Sequence, residues 1–188
     1  MFYIGIDNGL HGAIAVISDK KEVKMLEKYT KDLNRLNEIV DAAWSFGCIK
    51  GAVIEKPIIP VLAGGKYSSS GTSTFNTFGH WEALLQINSI KYTCANPAIR
   101  HKDCWRKEFK FKSIKSADLK QESIKKCLEL FPESENLIKK EKPVKGKNGR
   151  KQLLTDLYDD NKAESILLAE YCRRLHEKEI KNKELSEK

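Results

Sequence analysis

Residues 3–17, YIGIDNGLHGAIAVI, decide how this chain is read. The run Phe2–Ile6 is apolar and rich in β formers, as a buried strand is. It stops on one carboxylate, Asp7, and Asn8-Gly9 then break the pattern before Ala13–Ser18 resumes it. Burying a charge is costly unless something answers it, so Asp7 either opens a turn, for which Asp-Asn-Gly is a strong signal, or is held at the strand end to do chemistry.

Working outward, Val23–Tyr29 reads as a third strand, with Ser18-Asp19-Lys20 as the hairpin turn. Leu33, Leu36, Ile39, Val40 and Ala43 fall at helical spacing, and Gly47 is a natural stop. Gly51–Glu55 is a short strand that also ends on an acid, and Pro57 and Pro60 prevent regular structure just beyond it. AGGKYSSSGTS, residues 63–73, reads as a flexible loop, Phe75–Ile87 as a helix, and Tyr92–Cys94 as a last strand. Ser116 is placed to cap a helix with the stripe Ile124, Cys127, Leu128 and Phe131, ended by Pro132. Residues 139–151, KKEKPVKGKNGRK, lack apolar periodicity and read as a mobile basic loop. A final helix starts at Asp159 and turns Ala163, Ile166, Leu167 and Tyr171 inward, and the charged tail 177–188 is expected to fray. A three-strand meander and then alternating helices and strands make one α/β domain, residues 1–176, with a mixed five-stranded sheet flanked by helices.

The chain has 188 residues, 40% hydrophobic and 32% charged, enough for one full core. No apolar run approaches the ~20 residues of a membrane span. Its five cysteines are scattered and never spaced C-x-x-C, which argues against zinc or a disulfide framework and for a reducing cytoplasm. Net charge is +8, unevenly spread: residues 100–151 hold 17 Lys and Arg against 8 Asp and Glu, and the rest of the chain is nearly neutral. A basic excess confined to about a quarter of the chain suits a polyanionic partner, or else marks a lysine-rich solvated surface.

The final helix adds Asp160 and Glu164, which at i and i+4 share a face bordering its buried side. Asp7, Glu55, Asp160 and Glu164 converging with no matching base would repel one another. A divalent cation resolves this, and an all-oxygen set suits Mg2+ or Mn2+. Taken singly, each acid also has a plain structural explanation as a turn, a cap or a solvated strand end.

GIDNGLHGAIAVI, AVIEKP, SADLKQESI and DNKAESILLAEY, in that order from about residue 2 to 175, resemble the phage and bacterial RuvC-type Holliday junction resolvases. The resemblance implies a ribonuclease H-like fold, a homodimer, four-way DNA junctions as substrate, and two Mg2+ per site, with Mn2+ able to substitute. It implies Asp7, Glu55, Asp160 and Glu164 as metal ligands and Lys120 as the lysine facing the scissile phosphate. One ion would be held by Asp7, Asp160 and Glu164, the other by Asp7 and Glu55. Bacterial members space the final pair by three, which selects Asn161, whereas a spacing of four selects Asp160, preferred because it keeps a full charge. PAIRHKDCWRKEF resembles the stretch that precedes the lysine helix in phage members. The DNA-binding candidates are Arg106, Lys107, Lys112, Lys115, Lys120, Lys142, Lys145 and Lys147, with Tyr67 as a junction wedge by its place in the loop. The dimer contact is expected on Thr72–Ile87, through Phe75, Phe78, Trp81, Leu84 and Leu85. A different ribonuclease H-like nuclease acting on RNA–DNA hybrids, a non-cleaving junction binder, and an actin-like ATPase, for which the chain is short, are the competing readings.

Overall fold

The computed structural model describes residues 1–57, 69–142 and 153–186. Tyr67, Lys145, Lys147 and most of the 139–151 stretch lie outside the described residues. Five strands, β1 (Phe2–Asp7), β2 (Ala13–Ser18), β3 (Val23–Lys28), β4 (Ile49–Glu55) and β5 (Tyr92–Ala95), form one sheet in the order β3-β2-β1-β4-β5. The β1–β2 and β2–β3 pairs are antiparallel, while β1–β4 and β4–β5 are parallel. The helices are α1 (Leu33–Ser45), α2 (Ser69–Ile87), α3 (Ser116–Leu130), the single turns α4 (Glu135–Ile138) and α5 (Leu154–Leu157), and α6 (Asp160–Ser186). The expected meander, mixed sheet and flanking helices are all present.

Strand alternation sorts the core into two layers. Ile4, Ile6, Ile14, Val16, Ala52 and Ile54 pack under α1 and α2 with Trp81 and Leu85. Tyr3, Ala15, Ile17 and Val53 face the opposite way, against the α3 and α6 residues Ile124, Cys127, Ile166 and Leu167. Side chains two apart on a strand share a face, so Asp7 follows Tyr3 and Gly5 toward α6, and Glu55 follows Val53. Because Ile6 pairs with Ile54 in parallel register, the two acids emerge side by side at the same strand ends.

The approach of α6 to β1 depends on Gly5. A Cβ there would stand 2.1 Å from Ala169 N and from Ser165 O, and 2.7 Å from Leu168 C. The helix therefore lies against bare strand backbone, a closeness only glycine permits. Gly12 does the same for the loop after β1, where an added Cβ would meet Asp7 O at 2.1 Å.

Three boundaries depart from the sequence reading. Helix α2 begins at Ser69, so residues 69–73 of the expected Gly/Ser loop are helical. Tertiary contact overrides weak propensity here: Asn8 Nδ2 donates to Thr74 O at 3.2 Å, and Thr77 Oγ1 donates to Asn8 Oδ1 at 2.7 Å. Helix α6 continues to Ser186 instead of fraying after Glu177. Its Lys and Glu residues are good helix formers, and Arg173 ties Glu170 to Glu177 across one face. Ser116 is the first helical residue of α3, while Lys115 occupies the cap position without a side-chain bond.

Gly5→Ala should destabilise the protein by more than about 3 kcal/mol, because the clash is with helix backbone that cannot rotate away. Urea denaturation monitored by circular dichroism measures this. Gly51→Ala, whose nearest atom would be 3.4 Å away, should be tolerated.

Candidate active site

Three carboxylates meet above the sheet ends. Ligand atoms from Asp7, Glu55 and Glu164 all lie within 4.8 Å of one another. β1 delivers Asp7, β4 delivers Glu55, and the first turns of α6 deliver Glu164. The start of α6 is fixed by Asp159, whose Oδ1 accepts from Asn161 N and Lys162 N, and whose other oxygen pairs with Lys28 at the end of β3. The acids line a cleft of about 310 Å3 together with Asp160, Arg106 and Lys120. A larger cleft, about 450 Å3, opens at the other end of β4 and β5 beside His176, with Glu179 as its single acid among the described residues.

Asp160 departs from the expected four-acid cluster. It lines the same cleft beside Asn161, but its Oδ2 is engaged by Lys120 Nζ at 2.5 Å, and it is not among the three acids whose ligand atoms lie within 4.8 Å of one another. Glu164 is the most tightly held: Oε1 accepts from Ser123 Oγ at 2.8 Å and Oε2 from Arg106 Nη2 at 2.9 Å. Glu55 Oε2 accepts from Trp105 Nε1 at 2.8 Å and lies 3.5 Å from Arg106 Nη2. Trp105 and Arg106 come from a short 3-10 turn, Trp105–Phe109, placed after β5.

Arg106 requires a correction. Expected on the DNA-binding surface, it is buried instead, with its side chain 8% exposed between Glu164 and Glu55. Once the carboxylates are buried, the nearest cation is drawn to them in preference to solvent. Trp81 and Leu85, expected at a dimer contact, are fully buried in the α1–α2 core, and Leu84 is nearly so. Phe75 is exposed and Phe78 half-buried. Lys107, Lys112, Lys115 and Lys142 are exposed, and Lys120 lies at the cleft edge with 46% of its side chain accessible. Ser123 and Trp105 were missed as partners of the site. Ser123 sits one turn after Lys120 on the helix expected to face it, a placement that could have flagged it.

The electrostatics match an acid cluster short of positive charge. Burial, then the charges of Glu164 and Glu55, push the Asp7 carboxyl well above the ordinary range, with Arg106 opposing. Burial likewise pushes Glu55 up to about 7, against the pull of Arg106 and with Glu164 adding to the rise. Burial disfavours the Arg106 charge, yet Glu55 and Glu164 more than offset this and hold its guanidinium above its usual value. For Lys120 too, partial desolvation is outweighed, here by the Asp160 carboxylate. Three hard oxygen donors this close, two reluctant to ionise alone, are a donor set suited to a divalent cation.

No family model matches the sequence, and no curated protein matches it. Solved structures do match the fold. One is T. thermophilus RuvC in complex with Holliday junction substrate, 8% identical, with a TM-score of 0.51 over 91% of each chain. The fold is thus RuvC-like, of the ribonuclease H-like class.

A carboxyl whose pKa is higher in the fold than in the unfolded chain takes away stability as pH climbs from its unfolded value, about 4, through its folded one, about 7 for Glu55. The metal-free protein should therefore melt lower at about pH 8 than at about pH 5.5 on this account. Glu55→Gln should reduce that difference in EDTA-treated samples measured by scanning calorimetry, and Mg2+ or Mn2+ should stabilise the parent more at the higher pH.

Proposed function

We propose that this chain is a metal-dependent endonuclease that cuts branched DNA, with the four-way junction as its favoured substrate. The observation that carries the reading is the convergence of Asp7, Glu55 and Glu164 at the ends of parallel strands in a RuvC-like fold. The structural match to RuvC bound to a Holliday junction supports the choice of substrate, as does the basic excess in residues 100–151.

Asp7, Glu55 and Glu164 would hold the cation, with Asp160 completing the set once Lys120 turns from it. Bound there, Mg2+ or Mn2+ supplies the positive charge that activates water and stabilises a phosphodiester under attack. Trp105 and Ser123 hold Glu55 and Glu164 in place by donating to one oxygen of each. Lys120, at the cleft edge, is positioned to exchange Asp160 for a substrate phosphate oxygen, a charge-assisted bond of similar kind. Lys107, Lys112 and Lys115 would contact backbone phosphates without reading bases.

The decisive assay is a panel of labelled duplex, flap, RNA–DNA hybrid and four-way substrates with Mg2+. The parent should cut the junction best, and Asp7→Asn should cut at less than roughly a hundredth of its rate while still binding the junction. Preference for the hybrid would favour a different ribonuclease H-like nuclease. Cutting by Asp7→Asn at near the parent rate would sink the carboxylate mechanism.

Paired nicks across a two-fold junction call for two sites, hence a homodimer. The corrected contact surface is the outer stripe of α2: Thr72, Phe75, Gly79, Ala83 and Ile87 are uncharged and at least partly exposed. Ile87 is 76% and Phe75 49% exposed, and no described residue stands within 4 Å of where a Gly79 Cβ would be. An uncharged face on a chain this rich in charge favours a covered surface. Ala83→Glu should give a folded monomer by sedimentation and circular dichroism where the parent is a dimer. A parent that sediments as a monomer both free and on the junction would refute the paired arrangement.

A further inference from the structure

Arg106 is placed among the acids in a way that a surface phosphate contact would not explain. Its Nη2 donates to Glu164 at 2.9 Å and stands 3.5 Å from Glu55. Nη1 donates to Pro97 O at 2.7 Å, and the guanidinium carbon lies 4.5 Å from the centre of the Trp105 ring. The one nitrogen left, Nε, is buried with no hydrogen-bond partner among the described residues. A guanidinium has five N–H donors, and a buried network that leaves one unmet is only partly satisfied. Arg106 is thus anchored chiefly by two carboxylates that a metal would also use.

The charges limit what else fits. Fully ionised, as metal ligation requires, Asp7, Glu55, Asp160 and Glu164 carry four negative charges, and Arg106 and Lys120 carry two positive ones. The remainder equals the charge of one divalent ion. We infer that Arg106 is a built-in counter-cation that stands in for a second metal between Glu55 and Glu164, so that without DNA the site takes a single divalent ion. A second ion requires Arg106 to leave those two carboxylates. The same residue lets the metal-free chain bury its acids, since it answers part of their charge before any ion arrives. This inference rests on the metal-site reading and concerns how that site is filled.

The test is Mn2+ titration of the DNA-free protein, with free Mn2+ measured by electron paramagnetic resonance. The parent should bind one Mn2+ per chain and Arg106→Gln two over the same concentration range. The metal-free variant should also melt lower by on the order of 10 °C, as expected for a broken buried pair in a chain of this size. One ion in both proteins, two in the parent, or an unchanged melting temperature would overturn the inference and leave the metal site standing. Mn2+ binding to neither would overturn the metal site and the inference together. Should Arg106→Gln fail to fold, arginine side-chain 15N spectra of the parent under Mg2+ give the answer. The Arg106 Nη protons, slowed by their pairing with Glu164, should persist through the first equivalent of Mg2+, and their loss at that point would overturn the inference.

Discussion

Helix α6 lies on β1 with no side chain between them at Gly5, and the site depends on that contact. Glu164 adjoins Ser165, the residue whose carbonyl a Gly5 Cβ would strike. Closeness two residues before Asp7 on the strand therefore becomes closeness between Asp7 and Glu164 across the gap. A side chain at position 5 would push the helix away and take Glu164 beyond ligand distance of its partners. Parallel pairing of β1 with β4 then adds Glu55 at the same level. Backbone approach, register and strand alternation together bring three acids from distant parts of the chain to one place.

Holding them there works against folding. Two of the acids resist ionisation because burial and like charge disfavour it. The chain answers with cations and donors from the segment after β5 and from α3, namely Arg106, Trp105, Ser123 and Lys120, each bound to a specific oxygen. Such a shell orients carboxylates as well as neutralising them, which is the usual service of the groups behind a metal ligand. The site is an electrostatic balance short of positive charge, with three carboxylates close enough together to hold a cation.

The outer surface divides along the same axis. One face of the sheet carries α6 and α3, the acids and the lysines beside them; the other carries α1 and α2 and the uncharged stripe from Thr72 to Ile87. Asn8, next to Asp7, is hydrogen-bonded to Thr77 of α2. A contact on α2 would thus reach the active strand through two residues.

The sequence alone determined the strand–strand–helix layout, the placement of Asp7 and Glu55 at strand ends, and Glu164 on the inward side of the last helix. These come from local patterns: β-rich runs that stop on an acid, and helical spacing that continues from Glu164 into Leu167 and Tyr171. The charge surplus was legible for the same reason, whereas the lysine at position 120 was singled out only through the resemblance. What local pattern does not encode is distance across the fold. Arg106 reads in sequence as one more basic residue beside Lys107, and only the 3-10 turn after β5 aims it inward while Lys107 stays in solvent. Trp81 and Leu85 read as surplus apolar residues on a helix, and only packing against α1 and the sheet shows that the core absorbs them. Residues 69–73 carry loop composition, yet they form the start of α2, which is bonded to Asn8 farther along through Thr74 and Thr77. Asp160 and Glu164 share a helix face by spacing, but tertiary structure separated their partners: α3 set Lys120 against the first, and the segment after β5 set Arg106 against the second. Charge and periodicity are properties of the chain, whereas the partner of each charge depends on which backbone segments the folded core brings within about 3 Å of it.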